Sequence, residues 1–288
     1  MCIRDSYEED PNKPLGTAGS LYYLKDMIDE DFILIFGDVF LSVDFNKMAE
    51  YHHKHSSDAT LLTHPNSHPF DSDLVVVDDT GKVTGFDSKE NNRDYDYKNL
   101  VNSGIYMFSP RVFDYVPEPK KCGLEKDVIA KMITSGDKVY SYHSTEYVKD
   151  MGTPERYYSV NDDYANGLCE HRNLSHKQKA IFLDRDGTIN VHIPFLVNKD
   201  EFELIDGVSE AIKMINSSEY LCIVVTNQPV IARGECTFAE LDEIHKRMET
   251  LLGRDGAYID GLYFCPHHKD KGFPGEVPEL KFDCDCRK

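Results

Sequence analysis

Short apolar runs rich in β-branched residues alternate with helical patterns along the whole chain. The runs predict strands over 32–36, 59–63, 74–77, 101–108, 139–142, 180–183, 221–225 and 259–264. Windows with apolar residues at helical spacing predict helices over 19–28, 45–55, 126–133, 154–167, 208–215 and 238–252. This alternation predicts an α/β fold with parallel sheets, rather than a β-sandwich or a helical bundle.

A polar, aperiodic segment separates the two halves of the chain. Residues 169–178 carry no apolar period, and a new strand pattern starts directly after them. We therefore predict a first domain over 1–168, a linker over 169–178 and a second domain over 179–288. A length of 288 residues suits two domains. The order strand, helix, strand, helix, strand predicts a doubly wound second domain.

The charge balance narrows the classes of partner. Asp and Glu number 51 against 32 Lys and Arg, so the formal net charge is −19 and no basic surplus is available to follow a phosphodiester backbone. We therefore expect no nucleic acid partner. The apolar runs are much shorter than the roughly 18 residues of a membrane-spanning helix, and the first residues lack the apolar segment of a signal peptide. We expect a cytoplasmic protein with no membrane contact, in which cysteines are thiols or metal ligands.

Two carboxylates follow the first predicted strand of the second half. Asp184 and Asp186 come directly after that strand, at the end where open α/β sheets bind ligands. Carboxylates two residues apart repel each other unless a cation or proton intervenes. The pair therefore predicts Mg²⁺ and a division of labour between a nucleophile and an acid/base. The alternative is an Asp-Gly turn that only ends the strand.

Soft metal ligands form two close pairs near the end of the sequence. Cys265 with His267 makes the first pair, and Cys284 with Cys286 makes the second. This spacing is typical of a tetrahedral structural Zn²⁺ site. His268 is a possible substitute for His267, and a chance grouping of reduced cysteines with a surface histidine is the alternative.

The first half contains small-residue and acidic positions of interest. Gly16 and Gly19 lie in a small-residue loop that opens a helix, where the backbone can approach a base or phosphate, although such glycines are also ordinary turn residues. Asp38 ends a predicted strand, and Asp150 precedes a helix that starts with proline, so the two carboxylates could share Mg²⁺. The histidines of the helix 45–55 are interpreted as a solvated face without a functional role: His52, His53 and His55.

The second half resembles the haloacid dehalogenase (HAD) superfamily. Its first motif is similar to Phe182-Leu-Asp-Arg-Asp-Gly-Thr-Ile189, and its second motif is similar to Ile223-Val-Val-Thr-Asn-Gln228. Only 41 residues separate Asp184 from Thr226, enough for one loop and one helix, so we expect a doubly wound HAD-like domain without a large cap. The resemblance implies that Asp184 attacks phosphorus, that Asp186 protonates the leaving alcohol and then activates water, and that the segment from Thr226 to Asn227 holds the phosphoryl oxygens.

The cysteine group, with Arg287 and Lys288 after it, resembles the zinc-bearing HAD phosphatases. These include heptose 1,7-bisphosphate 7-phosphatases and histidinol phosphatases. The resemblance implies that Lys288 stabilises the charge of an aspartyl-phosphate and that Arg287 contacts a substrate phosphate. Pro229 stands where the family usually has Ser-Gly. An acidic fourth motif would follow Lys288, so we expect a longer parent chain.

The first half resembles the sugar-phosphate nucleotidyltransferases over about residues 7–167, including the mannose- and heptose-1-phosphate guanylyltransferases. Four motifs in family order carry the resemblance: the Gly16–Ser20 loop, Gly37-Asp38, Asn102-Ser-Gly104 with Leu124-Glu125, and Asp150-Met-Gly-Thr-Pro-Glu155. The resemblance implies a Rossmann-like first domain. It also implies that Gly16 and Gly19 lie by the base, that Asp38 and Asp150 bind Mg²⁺, and that Gly104 and Glu125 contact the sugar. Gly104 is alternatively a strand glycine that admits a neighbour. The family's Gly-rich triphosphate loop would precede Tyr7.

Together the two resemblances imply consecutive steps. A 7-phosphatase would make heptose 1-phosphate, and a guanylyltransferase using GTP would convert it to GDP-heptose for surface polysaccharide such as lipopolysaccharide. Two alternatives stay open: histidinol phosphatase activity, and a first domain that binds a sugar phosphate or nucleotide without catalysis. The oligomeric state is not predicted.

Overall fold

A computed structural model describes residues 14–286. The first part of this range forms eight strands: β1 (Phe32–Ile35), β2 (Val39–Ser42), β3 (Ala59–His64), β4 (Leu74–Val77), β5 (Val83–Asp87), β6 (Val101–Phe108), β7 (Val139–His143) and β8 (Tyr147–Asp150). Its α-helices are α1 (Gly16–Gly19), α2 (Phe45–His55), α3 (Ala130–Thr134), α4 (Pro154–Ala165) and α5 (Leu168–His171). A π-helical turn, Leu124–Ile129, leads into α3. The predicted helix over 19–28 is instead α1 followed by the short 3-10 helix Ser20–Leu24.

The α/β class is confirmed, but the main sheet is mixed rather than parallel. Its order is β5-β4-β6-β3-β7, with β1 paired to β6. Strand β6 runs antiparallel to β1, β3 and β4, and only β3 and β7 are parallel. One cause is the hairpin between β4 and β5, where the Asp78 carboxylate accepts the N–H groups of Thr80 and Lys82 and Gly81 takes φ +81°.

A second, two-stranded sheet lies beside the main one. Strands β2 and β8 pair antiparallel, with Val39 opposite Asp150. Neither strand is among those predicted from the sequence, although β1 and β4, which are equally short, are. Their pairing brings Asp38, which precedes β2, beside Asp150 at the end of β8, and the backbone confirms it: the Met151 N–H donates to the Asp38 carbonyl at 2.8 Å.

Both faces of the main sheet are covered. Leu61 and Tyr106 belong to one buried cluster, and the adjacent residues Leu62 and Ile105 belong to another that includes Met48 of α2. Successive strand residues point to opposite faces, so the fully buried pattern of β3 is that of a central strand. His52 of α2 is also buried, at 1% exposure, and bonds Thr60 Oγ1 at 2.7 Å. The solvated-face interpretation is therefore wrong for His52, which faces the sheet.

The second part forms a smaller parallel sheet. Strands β9 (Lys179–Leu183), β10 (Tyr220–Asn227) and β11 (Gly261–Cys265) lie in the order β11-β10-β9. Helices α6 (Val208–Asn216) and α7 (Phe238–Arg254) cover it, and a capping box between Thr237 and Glu240 fixes the start of α7. Within residues 14–286 no helix is both long enough and apolar enough to cross a bilayer.

Helix α7 packs against the first domain. Thr250 Oγ1 accepts the Tyr97 N–H at 2.9 Å, and Glu249 accepts the Asn99 N–H at 2.6 Å. A Cβ on Gly253 would lie 2.5 Å from Pro69, so helix α7 approaches this segment of the first domain as closely as a glycine allows. These bonds fix the position of the second domain against the first.

The predicted linker is partly folded into this contact. Its first residues lie in α5, and Arg172 then donates to Asp260 at 2.8 Å, with both side chains almost fully buried. Asp260 also accepts the Cys222 N–H at 2.8 Å, and β11 begins at the next residue, Gly261, rather than at 259. The domain boundaries themselves remain a prediction.

Candidate functional site

The predicted phosphate site lies at the carboxyl edge of the second sheet. Asp184 and Asp186 follow β9, and Thr226 and Asn227 end β10. Leu183 is opposite Val224, so Thr226 lies two residues beyond the last paired residue of β9, level with Arg185. Both aspartates are half-buried, whereas Thr226 is 2% exposed. The four predicted residues thus share one edge, as expected from parallel strands.

Arg185, between the two aspartates, is completely buried and holds Asp186. Its Nη2 donates to both carboxylate oxygens of Asp186 at 3.0 Å, and its Nε donates to one of them at 3.1 Å. Burial lowers the pKa of Arg185, while the adjacent Asp186 charge opposes that shift. A buried guanidinium needs such a partner, since an unpaired buried charge is very unfavourable. Sequence analysis misses Arg185, although a cation between two acidic residues is a visible signal.

An amide connects the two motifs of this edge. Gln228 Nε2 donates to Asp186 Oδ2 and to Thr226 Oγ1, both at 2.8 Å. Asn190 Nδ2 lies 3.2 Å from the other Asp186 oxygen. The Asp186 carboxylate is therefore held in one orientation by three side chains: Arg185 and Asn190 of its own loop, and Gln228 from the end of the next strand.

His245 of α7 forms a hydrogen bond with Arg185. Its Nε2 lies 3.2 Å from Arg185 Nη1, and since an arginine only donates, Nε2 accepts and the ring proton is on Nδ1. The side chain is 5% exposed. Burial, together with the Arg185 charge, lowers the pKa of His245 to about 3.

This buried ring predicts a pH dependence of stability. The folded state keeps the ring neutral down to about pH 3, whereas the unfolded chain protonates it near pH 6.5, so stability falls as pH drops below 6.5. His245 alone is expected to make unfolding about 2 kcal/mol easier at pH 5 than at pH 7. His245→Gln, which retains an acceptor for Arg185, should remove that difference in urea unfolding at the two pH values. An unchanged difference would contradict the assignment.

The four predicted soft ligands meet in space. The sulfur of Cys265 lies 3.4 Å from that of Cys284 and 3.6 Å from that of Cys286, and His267 Nδ1 lies 3.1 Å from Cys286. All four ligand atoms lie within 4.8 Å of one another, so the group could hold a metal ion. Ligands about 2.3 Å from a tetrahedral zinc would be about 3.8 Å apart, close to these spacings. His268 instead bonds the backbone of Asp270.

The cysteine group adjoins the phosphate edge. Cys265 ends β11 and is opposite Asn227 of β10. The group therefore ties the chain ending at Cys286 to the carboxyl edge of the sheet. Arg287 and Lys288, predicted to contact phosphate, lie outside the described residues.

A cleft of about 700 Å³ is lined mainly by residues of the first domain and in part by residues of the second. Four predicted residues line it: Asp38, Gly104, Glu125 and Asp150. Asp150 accepts bonds from Arg156 Nη1 at 2.8 Å and from the Gly152 N–H at 2.9 Å. Partial burial works against ionisation of Asp150, but the Arg156 and Gly152 bonds outweigh it and lower the pKa.

Glu125 and Gly104 lie on adjacent walls of this cleft. Glu125 lies in the π-helical turn and accepts the Tyr106 hydroxyl at 2.6 Å. Gly104 has φ +75°, and a Cβ there would lie 3.0 Å from the Phe36 ring. Position 104 therefore requires glycine, because a larger residue would contact the Phe36 ring, and Gly104 also lines the cleft.

Gly16 and Gly19 have a packing role in the described structure. A Cβ on Gly16 would lie 2.6 Å from the Cys122 carbonyl, and one on Gly19 would lie 2.3 Å from the Lys120 carbonyl. Neither residue lines the cleft within residues 14–286. Their contact with a base remains a prediction.

Comparisons with known proteins divide between the two parts of the chain. Residues 3–167 match the family described as Nucleotidyl transferase. Over 109 residues the chain is 44% identical to D-glycero-beta-D-manno-heptose-1,7-bisphosphate 7-phosphatase of Salmonella typhi, covering 38% of this chain and 56% of that protein. The chain spans about half the length of the curated relatives it matches.

Two solved structures are similar to parts of the chain. HddC from Yersinia pseudotuberculosis complexed with GMP-PN has 24% identity and a TM-score of 0.45, covering 53% of this chain and 64% of that one. The D,D-heptose 1.7-bisphosphate phosphatase from B. bronchiseptica, complexed with magnesium and phosphate, has 33% identity and a TM-score of 0.33. Its match covers 38% of this chain and 56% of that one.

Proposed function

The chain belongs to the nucleotidyl transferase family through residues 3–167, and from that premise we propose a bifunctional enzyme of heptose phosphate metabolism. Its C-terminal part would hydrolyse the 7-phosphate of a heptose 1,7-bisphosphate, and its first domain would transfer a nucleotidyl group to the resulting 1-phosphate. The observation that carries the proposal is the carboxyl edge holding Asp184, Asp186 and Thr226 in a segment 44% identical to a 7-phosphatase.

The phosphatase chemistry follows from the residues at that edge. A carboxylate oxygen of Asp184 attacks phosphorus, and the bond from phosphorus to the sugar oxygen breaks as Asp186 gives that oxygen a proton. Asp186 then takes a proton from the water that attacks the aspartyl-phosphate, and inorganic phosphate leaves. Gln228 and Arg185 hold the Asp186 carboxyl in place for both transfers. Thr226 and Asn227 would hold the phosphoryl oxygens, and Lys288 and Arg287 would contribute positive charge.

Two metal ions fit the residues present. The Asp184 and Asp186 oxygens are hard ligands suited to Mg²⁺, which would neutralise charge on the phosphoryl group. Three sulfurs and one imidazole suit a structural Zn²⁺, held by Cys265, His267, Cys284 and Cys286. This zinc would fix the chain just before Arg287 against the phosphate edge.

The first domain would bind the sugar 1-phosphate and GTP in its cleft. Asp38 and Asp150 would share a second Mg²⁺, while Glu125 and the Gly104 backbone would contact the sugar. The pairing of domains supports this order, because removing the 7-phosphate yields the 1-phosphate that a nucleotidyltransferase consumes. The product would be GDP-heptose for surface polysaccharide such as lipopolysaccharide, made in the cytosol.

Substrate comparison tests the proposal. The 288-residue chain should release phosphate from D-glycero-D-manno-heptose 1,7-bisphosphate at least tenfold faster, by kcat/KM, than from histidinol phosphate. Both anomers should be assayed, with pyrophosphate release from GTP and heptose 1-phosphate followed in parallel. Faster turnover of histidinol phosphate would replace the heptose assignment. Binding of GTP or heptose 1-phosphate in calorimetry without pyrophosphate release would leave the first domain a binding module.

A further inference from the structure

We propose that the second domain completes the sugar-phosphate end of the first domain's cleft, and that Lys213 supplies a positive charge to an anionic group of the bound sugar. The inference rests on the proposed function and adds a substrate-binding residue from outside the nucleotidyl transferase domain. Lys213 lies on α6, far in sequence from the residues of the family match.

The cleft has walls from both domains. Asp38, Gly104, Glu125 and Asp150 line it from the first domain. The second domain contributes the end of α6 and the segment before β11: Lys213, Asn216, Ser217, Gly256, Tyr258 and Asp260. A cavity of about 700 Å³ is large enough for a sugar phosphate together with part of a nucleotide.

The position of Lys213 follows from the contact between the domains. A Cβ on Gly256 would lie 3.8 Å from both Lys213 Cδ and the Ser67 carbonyl, so the lysine stem lies close to the first domain's loop. That loop, through Ser67 and His68, lines the same cleft as Lys213. Lys213 therefore shares this cleft with the predicted metal carboxylates Asp38 and Asp150.

Three positively charged side chains of the cleft already pair with acidic residues that also line it. Lys149 pairs with Asp163 at 3.0 Å, Arg156 with Asp150 at 2.8 Å and Arg172 with Asp260 at 2.8 Å, and all six residues line the cleft. Lys213 pairs instead with Glu210, which is 76% exposed and does not line the cleft. Solvent screens that pair, so Lys213 can exchange it for a substrate anion at little loss.

The wall that carries Lys213 is held rigidly. The Thr250 bond to Tyr97 and the close approach of Gly253 to Pro69 join the second domain to the first, and the buried Arg172–Asp260 pair joins it to the linker. A rigid wall lets one charged side chain contribute to affinity without ordering a loop.

Calorimetric titration of the 288-residue chain with heptose 1-phosphate tests the proposal. Lys213→Gln is expected to weaken binding about tenfold, as for loss of one charge-assisted hydrogen bond, and Lys213→Arg should retain most of the affinity. Two control variants should bind like the original chain. Lys179→Gln removes a lysine paired with Glu219 outside the cleft, and Glu210→Gln removes only the solvent-side partner of Lys213.

The outcomes separate the two proposals. If the original chain binds heptose 1-phosphate and Lys213→Gln binds it equally well at an unchanged melting temperature, the role of Lys213 is wrong while the proposed function stands. If Lys89→Gln, on the first-domain wall, is the variant that weakens binding, the charge comes from the first domain and the inference also fails. If the original chain does not bind heptose 1-phosphate, the proposed function of the first domain fails and the inference with it.

Discussion

Replacing Asp184 by asparagine is expected to reduce phosphate release from heptose 1,7-bisphosphate by roughly 10³-fold or more, because an amide oxygen is a poor nucleophile toward phosphorus. The change is isosteric, and the Asp184 carboxylate already accepts the Arg185 N–H at 2.7 Å, which the amide oxygen can also do. Folding and substrate binding should therefore persist. Steady-state release of inorganic phosphate measures the effect.

Asp206→Asn is the matched control, since Asp206 is an exposed aspartate of the same domain. It should keep the original rate. A second readout identifies the covalent step. Stopping the original chain during turnover of substrate labelled in the 7-phosphate should leave label on the protein that hydroxylamine removes, whereas Asp184→Asn should leave none. Turnover of Asp184→Asn close to that of the original chain would exclude Asp184 as the nucleophile.

Replacing Cys284 by alanine is expected to remove the bound zinc and to lower the melting temperature by about 10 °C or more. Structural zinc sites contribute folding free energy directly, and several kcal/mol spread over a domain of this size correspond to a shift of that order. Cys284 and Cys286 follow the loop that begins after Cys265. Loss of Cys284 therefore removes one of the two ligands that tie this later segment to the sheet. Metal analysis and thermal denaturation measure both effects.

Cys236→Ala provides the control for thiol loss. Cys236 is a buried cysteine of the same domain that packs in a different apolar cluster, outside the metal group. Its substitution should cost about 1 kcal/mol, as for a small core deletion, and leave the zinc content at one ion per chain. Full zinc content in Cys284→Ala would show that the four ligands do not act as one site.

The candidate phosphate edge of the second domain is predictable because three short apolar strands end in distinctive polar residues. Asp184, Thr226 and Cys265 each come at the end of such a strand, and parallel pairing brings strand ends together. The cysteine and histidine spacing likewise predicts a grouping that the structure bears out. In these cases local pattern and tertiary position coincide.

Other features depend on contacts that no local pattern contains. The antiparallel pairings of β6 join segments far apart in sequence, so apolar runs alone do not reveal strand direction. Strands β2 and β8 pair with each other, and no local pattern connects these segments, which are far apart in the sequence. Arg185 is paired with His245 of a distant helix, and Asp186 accepts a hydrogen bond from Gln228, which follows the next strand.

The direction of the second sheet has a kinetic consequence for the two proposed reactions. Asp184 and Thr226 lie at the carboxyl ends of its parallel strands, whereas the cleft is lined by Tyr258 and Asp260, which precede the amino end of β11. A strand of five residues separates these ends by roughly 16 Å. The two proposed sites therefore lie at opposite ends of the second sheet, and a sugar phosphate released at one would have to travel about this distance to reach the other. Fusion would fix the ratio of the two activities without bringing the two sites together.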